Sequence, residues 1–148
     1  TPGHQGETRM TVDNIADVEF GTELPTFTPD TTLAATSAFA EAVGYAGNGR
    51  FEDHEKARAQ GLPGALAPGI MGMGLLSRVI HEWAPKGRIR QIDTVFRAPV
   101  LADHNHTISA IVTDIDEESG EVMLDLSIKN EKDETRVFGT ATLVIPLS

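Results

Sequence analysis

The sequence contains no cysteine. Disulfides, thiolate catalysis and cysteine-based zinc sites are therefore excluded, and the composition leans towards a cytoplasmic chain. Aromatic residues are scarce, with six Phe, one Tyr and one Trp, so there is little with which to stack nucleic-acid bases. Positive charge is also short: 12 Lys and Arg stand against 22 Asp and Glu, a net charge of −10, with a pI near 4.8. Neither nucleic acid nor an anionic membrane surface is an expected partner for such a chain. No apolar run reaches the length of a membrane span, and the opening residues carry no signal-peptide pattern.

What is present is enough for one domain with a real core: 148 residues, 40% of them hydrophobic. There is no internal repeat and no low-complexity linker. Residues 1–9, polar and glycine-containing, are expected to be a flexible N-terminal segment, and residues 10–148 a single domain.

The chain is organised around Pro63–Trp83. A Pro/Gly turn leads into a helix near Gly69, with Ile70, Met71, Met73, Leu75, Leu76, Val79, Ile80 and Trp83 spread over nearly every side. A helix apolar all round is expected to be buried. Gly69, Gly72 and Gly74 each weaken it by about 1 kcal/mol relative to alanine. Close approach of another backbone, or of a ligand at the helix start, is the expected compensation.

Upstream, Val18–Phe27 reads as a lead-in with a short strand. Asp30 or Thr31 is placed to cap a short helix that ends at Gly44, and Asp53 to cap a second, His54–Gln60. Gly44–Arg50 is a glycine-rich loop; without a following Gly-Lys-Ser/Thr it does not read as a phosphate loop. After Gly87 the period changes from helix to strand: Ile89–Phe96, Thr107–Asp116, an alternating run from Val122 to Ile128, and Thr135–Ile145. The last three join as an antiparallel meander. One apolar helix and one sheet bury each other most simply when the sheet wraps the helix. The expected class is α+β, a hot-dog fold with an antiparallel sheet around a long buried helix.

Several residues could carry chemistry. The N–H of Gly69 or Ile70, at the positive end of the helix, could polarise a thioester or hold an oxyanion. His54 sits among Glu52, Asp53 and Glu55, as an acid–base candidate or a solvated helix start. His81 reads as a core histidine. Asp103-His104-Asn105-His106 is too isolated for a metal site, and none is expected. Arg78, Lys86, Arg88, Arg90 and Arg97 form a local basic band, suited to the phosphates of coenzyme A or a carrier arm, or equally an exposed surface.

Ala57-Arg58-Ala59-Gln60-Gly61-Leu62-Pro63-Gly64-Ala65-Leu66-Ala67-Pro68-Gly69-Ile70-Met71, Phe96-Arg97-Ala98-Pro99-Val100 and Gly139-Thr140-Ala141-Thr142-Leu143-Val144-Ile145-Pro146 resemble the MaoC-like (R)-specific enoyl-CoA hydratase family over roughly Val18–Pro146. The resemblance implies a hot-dog fold, pairing into dimers, and addition or removal of water on acyl thioesters. It implies no diffusible cofactor; coenzyme A enters only as part of the substrate. The family's catalytic segment, Gly-Asp-x-Asn-Pro-Ile/Leu-His-x-Asp, carries over at Asn48 and Asp53. Gly69 would be its oxyanion donor and Ser77 its helix serine. Its catalytic Asp, however, falls on Ala46, its catalytic His on Phe51, its proline on Gly49, and the His before the helix glycine on Pro68.

Alanine and phenylalanine cannot activate water. The expectation is therefore a protein that binds an acyl-CoA or acyl-carrier thioester without the standard dyad. It would be a homodimer, or the non-catalytic half of a heteromer with another hot-dog subunit. Gly69 would be the electrophile-stabilising residue, and Asn48, Ser77, Arg78, Arg88 and Arg97 the binding residues. The alternatives are an active hydratase built on Asp53, His54 or Glu52, and a structural or regulatory dimer without ligand.

Overall fold

The computed structural model describes residues 11–148, so the expectation for residues 1–9 lies outside it. Three α-helices precede four strands: α1 (Leu33–Ala42), α2 (His54–Ala59), α3 (Gly69–Trp83), β1 (Arg88–Phe96), β2 (His106–Asp116), β3 (Glu121–Asn130) and β4 (Thr135–Val144). The strands make one antiparallel sheet in the order β1-β4-β3-β2, with the expected β2-β3-β4 meander. In place of the anticipated lead-in strand there are two isolated bridges to β2, Glu23 with Ile111 and Phe27 with Ile108. Pro25 lies between them and has no N–H to extend the ladder.

Alternation decides which face of the sheet is buried. Val122, Leu124, Leu126 and Ile128 of β3 point inward with Ile108, Ala110 and Val112 of β2 and Val137, Ala141 and Leu143 of β4. Against them lie Leu76, Val79, Ile80 and Trp83 of α3. Register shifts at Ile89/Gln91 and Val112/Asp114 are where added twist curls the sheet around the helix. A second, smaller cluster of Ala57, Ala65 and Ala102, flanked by Leu33 and Leu62, anchors the loops at the start of α3. No described helix is long and apolar enough to cross a membrane.

The helix is not buried all round. Gly72, Leu76, Val79, Ile80 and Trp83 face the sheet, but Ile70 remains 49% exposed, and Gly74, Arg78 and His81 are exposed. His81 is therefore a surface residue and not a core histidine. The glycines also divide. A Cβ at Gly72 would sit 3.4 Å from Ile128 Cδ1, and one at Gly69 would sit 3.4 Å from the Phe96 ring, whereas one at Gly74 would meet nothing within 4 Å. A Cβ at Gly69 or Gly72 would thus reach contact distance of a neighbour, and one at Gly74 would face open space. Gly74→Ala is expected to raise stability by about 0.5–1 kcal/mol, through helix propensity alone. A urea titration checks this; a lower midpoint would show that a neighbour needs the space.

Helix α1 is capped differently from expectation. Thr32 is its N-cap, with its hydroxyl accepting from Ala35 N–H, while Asp30 accepts from Thr32 N–H and Thr31 donates to His104 O. A further first-turn N–H, that of Leu33, goes to Asp103 Oδ1 at 2.8 Å. Helix α2 is capped by Asp53 as expected and ends at Ala59.

Candidate functional site

The start of α3 is set by a short antiparallel contact. Leu66 bridges Leu101, Ala67 N–H donates to Val100 O, and Leu66 N–H donates to Arg50 O. These bonds bring the 44–53 loop, the helix start and the end of β1 together. The Phe96–Pro99 turn is fixed from β4: Arg97 N–H and Ala98 N–H both donate to Arg136 O, and Arg136 Nε donates to Pro99 O at 2.9 Å. Between these segments lies a cleft of about 360 Å³ whose walls include Arg50, Phe51, Gly69, Phe96, Arg97 and Pro99.

Pro68 occupies the N-cap position of α3 and offers no side-chain hydrogen bond. The first-turn N–H groups lack the usual side-chain partner, and Gly69 presents them at the cleft. A carbonyl or anion is what such a helix end attracts. The arginines at the rim add positive charge. Opposite them stands Phe51, stacked on Tyr45 with ring centroids 5.9 Å apart and planes at 29°. Tyr45, Ala46, Asn48 and Phe51 line a shallow depression beside the cleft. The positions at which the hydratase resemblance implies an acid and a base thus carry a methyl group and an aromatic stack.

The other acid–base candidates are committed elsewhere. Asp53 Oδ1 accepts from Lys56 N–H at 3.0 Å, and that bond holds its carboxyl below the usual range. Glu52 accepts from Gly47 N–H at 3.0 Å and Gly49 N–H at 2.9 Å. The glycine loop is therefore filled by the chain's own carboxylate and is not a phosphate cradle. His54 Nδ1 accepts from Ala65 N–H at 3.0 Å, so the ring proton lies on Nε2, which donates to Asp103 Oδ2 at 2.7 Å. A Cβ on Gly64 would crowd this ring at 3.2 Å, which accounts for glycine there. His54 and Asp103 clamp α1, α2 and the approach to α3 together. Neither Asp53 nor His54 lines the cleft.

The binding candidates also part company. Of the basic band, only Arg97 lines the cleft. Arg78 pairs with Glu82 at 2.9 Å and lies 4.3 Å over the Phe27 ring, Lys86 pairs with Asp13, and Arg90 pairs with Glu121. Arg88 is at the far end of β1, roughly 30 Å along the strand from Arg97. Ser77 Oγ donates to Met73 O, about 12 Å along α3 from Gly69. Asn48 Oδ1 accepts from Arg50 N–H, inside its own loop. Arg50, not foreseen as a site residue, lines the cleft instead. Its only sequence signal is its place next to Phe51.

Among the described residues, no group of three or more His, Asp or Glu is placed to hold a metal ion. His104 Nδ1 lies 3.0 Å from Glu131 Oε1, and His106 Nδ1 donates to His104 O at 3.0 Å. His106 is only 2% exposed, and burial pushes its pKa below the usual histidine value. The unfolded chain therefore takes up a proton first as pH falls through about 6.5. Stability is expected to drop from pH 7.5 to pH 5.5, less so in His106→Asn, which keeps a donor near the Nδ1 position. Melting curves across that range check this; equal slopes in the two proteins would overturn it.

No family model and no curated protein sequence matches the chain. Solved structures do. The (R)-hydratase PhaJ1 from Pseudomonas aeruginosa superposes with a TM-score of 0.82 at 19% identity, over 92% of this chain and 87% of that one. A chain of the ChsH1–ChsH2 complex from Mycobacterium tuberculosis gives 0.78 at 22% identity, over 86% and 98%. The MaoC-like dehydratase from Rhodospirillum rubrum gives 0.73 at 15%, over 90% and 97%.

The chain has the hot-dog fold. Its α3 is the enclosed helix and β1–β4 the wrapping sheet, as the sequence pattern implied. The solved hot-dog structures that resemble it include (R)-hydratases and MaoC-like dehydratases. The cleft described above opens at the N-terminal end of the hot-dog helix.

Proposed function

We propose that the protein is a MaoC-like hot-dog subunit that binds an acyl thioester, on coenzyme A or a carrier arm, and lacks its own water-activating pair. The observation that carries this reading is the cleft itself. A helix start without a side-chain cap meets it at Gly69, Arg50 and Arg97 stand at its rim, and Phe51 lines it where the resemblance implies a catalytic histidine. The thioester carbonyl would take the Gly69 N–H, and the arginines would meet phosphate or pantetheine oxygens. An active hydratase built on Asp53 or His54 is less well supported, because those side chains are spent on the α2 cap and on the clamp to Asp103.

A second hot-dog subunit would complete the assembly. The ChsH1–ChsH2 structure is a complex of that kind in its own organism. Here β1 lies at the edge of the sheet, and Val95 near its end is exposed, so an edge and an apolar side chain are present for a copy or a relative. Coenzyme A would enter only as part of the ligand, with no separate cofactor.

The test is a thermal shift with butyryl-CoA, crotonyl-CoA and free CoA. A ligand that binds only the folded chain stabilises it, by about 2.7 kcal/mol at a hundred times its Kd. Acyl-CoA is expected to raise the melting temperature more than free CoA. No shift with any of the three would leave the ligand-free structural dimer as the better reading.

A further inference from the structure

Below the cleft lies a second space. It is more sheltered than the cleft, about 30 Å³, and lined by Met71, Gly72 and Leu75 of α3, Val100, and Ile128 and Val137 of the sheet. Every one of these residues is apolar, and a small apolar cavity of this kind stays dry. The chamber and the outer cleft share Ala67, Gly69 and Phe96 as wall residues. One layer of side chain therefore separates them, and the Phe96 ring is its bulkiest part. That ring lies against Gly69, with Cε1 and Cζ 3.4 Å from where a Cβ would be. It is nevertheless 53% exposed and is not part of the core cluster.

We propose that Phe96 is a specificity-determining residue that sets acyl length, its ring acting as a shutter between the cleft at Gly69 and the apolar chamber behind it. This rests on the reading of the cleft as an acyl-thioester site. With the ring in place, a carbonyl at the Gly69 N–H leaves its acyl tail only the cleft and a chamber the size of about one or two carbon groups. Acetyl and butyryl groups fit this space. An octanoyl chain, four carbons longer, is sheltered from water only if the ring swings away from Gly69 and adds the space it vacates to the chamber. The movement costs little buried surface, because half of the ring already faces solvent and it packs on a residue without a side chain.

The chamber's depth is set from the other side by Gly72. A methyl there would stand 3.4 Å from Ile128 Cδ1 and take up room that an incoming chain needs. Phe96 and Gly72 thus act on the same tail from opposite ends, one at the mouth and one at the floor.

The test is titration calorimetry of the full chain with acetyl-CoA, butyryl-CoA and octanoyl-CoA, for wild type, Phe96→Ala, and Phe96→Ala combined with Gly72→Ala. Wild type is expected to bind octanoyl-CoA at least tenfold more weakly than butyryl-CoA. Phe96→Ala should recover that factor for octanoyl-CoA and shift acetyl-CoA by less than threefold. Adding Gly72→Ala should take back most of the gain. If Phe96→Ala does not fold, Phe96→Val, suited to a strand end, is read in its place. Short acyl-CoAs binding normally with an unchanged octanoyl affinity in the Phe96 variant would overturn the shutter and leave the thioester site standing. No binding of any acyl-CoA to wild type or variant would overturn the thioester reading and the shutter with it.

Discussion

Purified alone, the protein is expected to leave crotonyl-CoA unhydrated. General acid–base catalysis contributes about 10²–10⁴-fold, and among the described residues no side chain lining the cleft is a carboxylate or an imidazole. Glu52 holds the glycine loop, Asp53 caps α2, and His54 is fixed between Ala65 N–H and Asp103. Among the described residues lining the cleft, a water beside Phe51 would find neither a base to take its proton nor an acid to return one. Loss of the enoyl-thioester absorbance is the measurement. The rate should stay at least 10²-fold below that of a hydratase with both residues. Clear turnover that vanishes in His54→Ala would restore the active-hydratase reading.

Gly139→Ala is expected to be among the most damaging single substitutions in the sheet. Gly139 pairs with Thr94 where β4 meets β1. A Cβ there would lie 1.9 Å from Asp93 O and 2.9 Å from Thr94 Cα. Both obstacles are backbone, so relief requires the two strands to separate. Overpacking typically costs about 1–3 kcal/mol, and a backbone collision belongs at or above the top of that range. The urea midpoint should fall accordingly, opposite in sign to Gly74→Ala. Because β1 ends at Phe96, the same variant should also loosen the cleft wall and weaken any acyl-CoA binding. A stability loss under about 0.5 kcal/mol would mean that the strands do not approach so closely.

Much of the fold was legible because its signals are local. Val122 to Ile128 alternates cleanly, Glu117–Gly120 turns the chain, and the helix from Gly69 to Trp83 shows its apolar run and its glycines. The exposed side of that helix was not legible. Ile70 is apolar in the sequence, and only the placement of the sheet decides which apolar residues one chain covers. Contacts between distant residues were hidden for the same reason. Asp103 reaches the first turn of α1 from 70 residues away and takes His54 with it, turning a suggestive carboxylate–histidine cluster into a clamp. The basic band looked continuous along the chain, but β1 is extended, so Arg88 and Arg97 end up at opposite ends of the sheet. Arg50 gave little sequence signal beyond its place next to Phe51, because its position depends on the Leu66 N–H to Arg50 O bond.

That Ala46 and Phe51 stand where a water-activating pair is expected follows only from the family resemblance, not from periodicity or spacing. The structure adds what stands there instead, a Phe51–Tyr45 stack, and shows that the helix start opposite it has no side-chain cap. That donor can be removed with little disturbance. Proline is well tolerated at the first position of a helix, where its missing N–H has no intrahelical partner. Pro68, at φ −58° and ψ 141°, already has the extended conformation that a following proline requires.

The direct measurement is therefore butyryl-CoA affinity in Gly69→Pro against Gly69→Ala, the second keeping the N–H while adding a comparable Cβ. If the thioester carbonyl takes this N–H, Gly69→Ala should bind close to wild type and Gly69→Pro roughly three- to tenfold more weakly, the worth of one hydrogen bond. Equal affinity in the two folded variants, or no binding even to wild type, would contradict it.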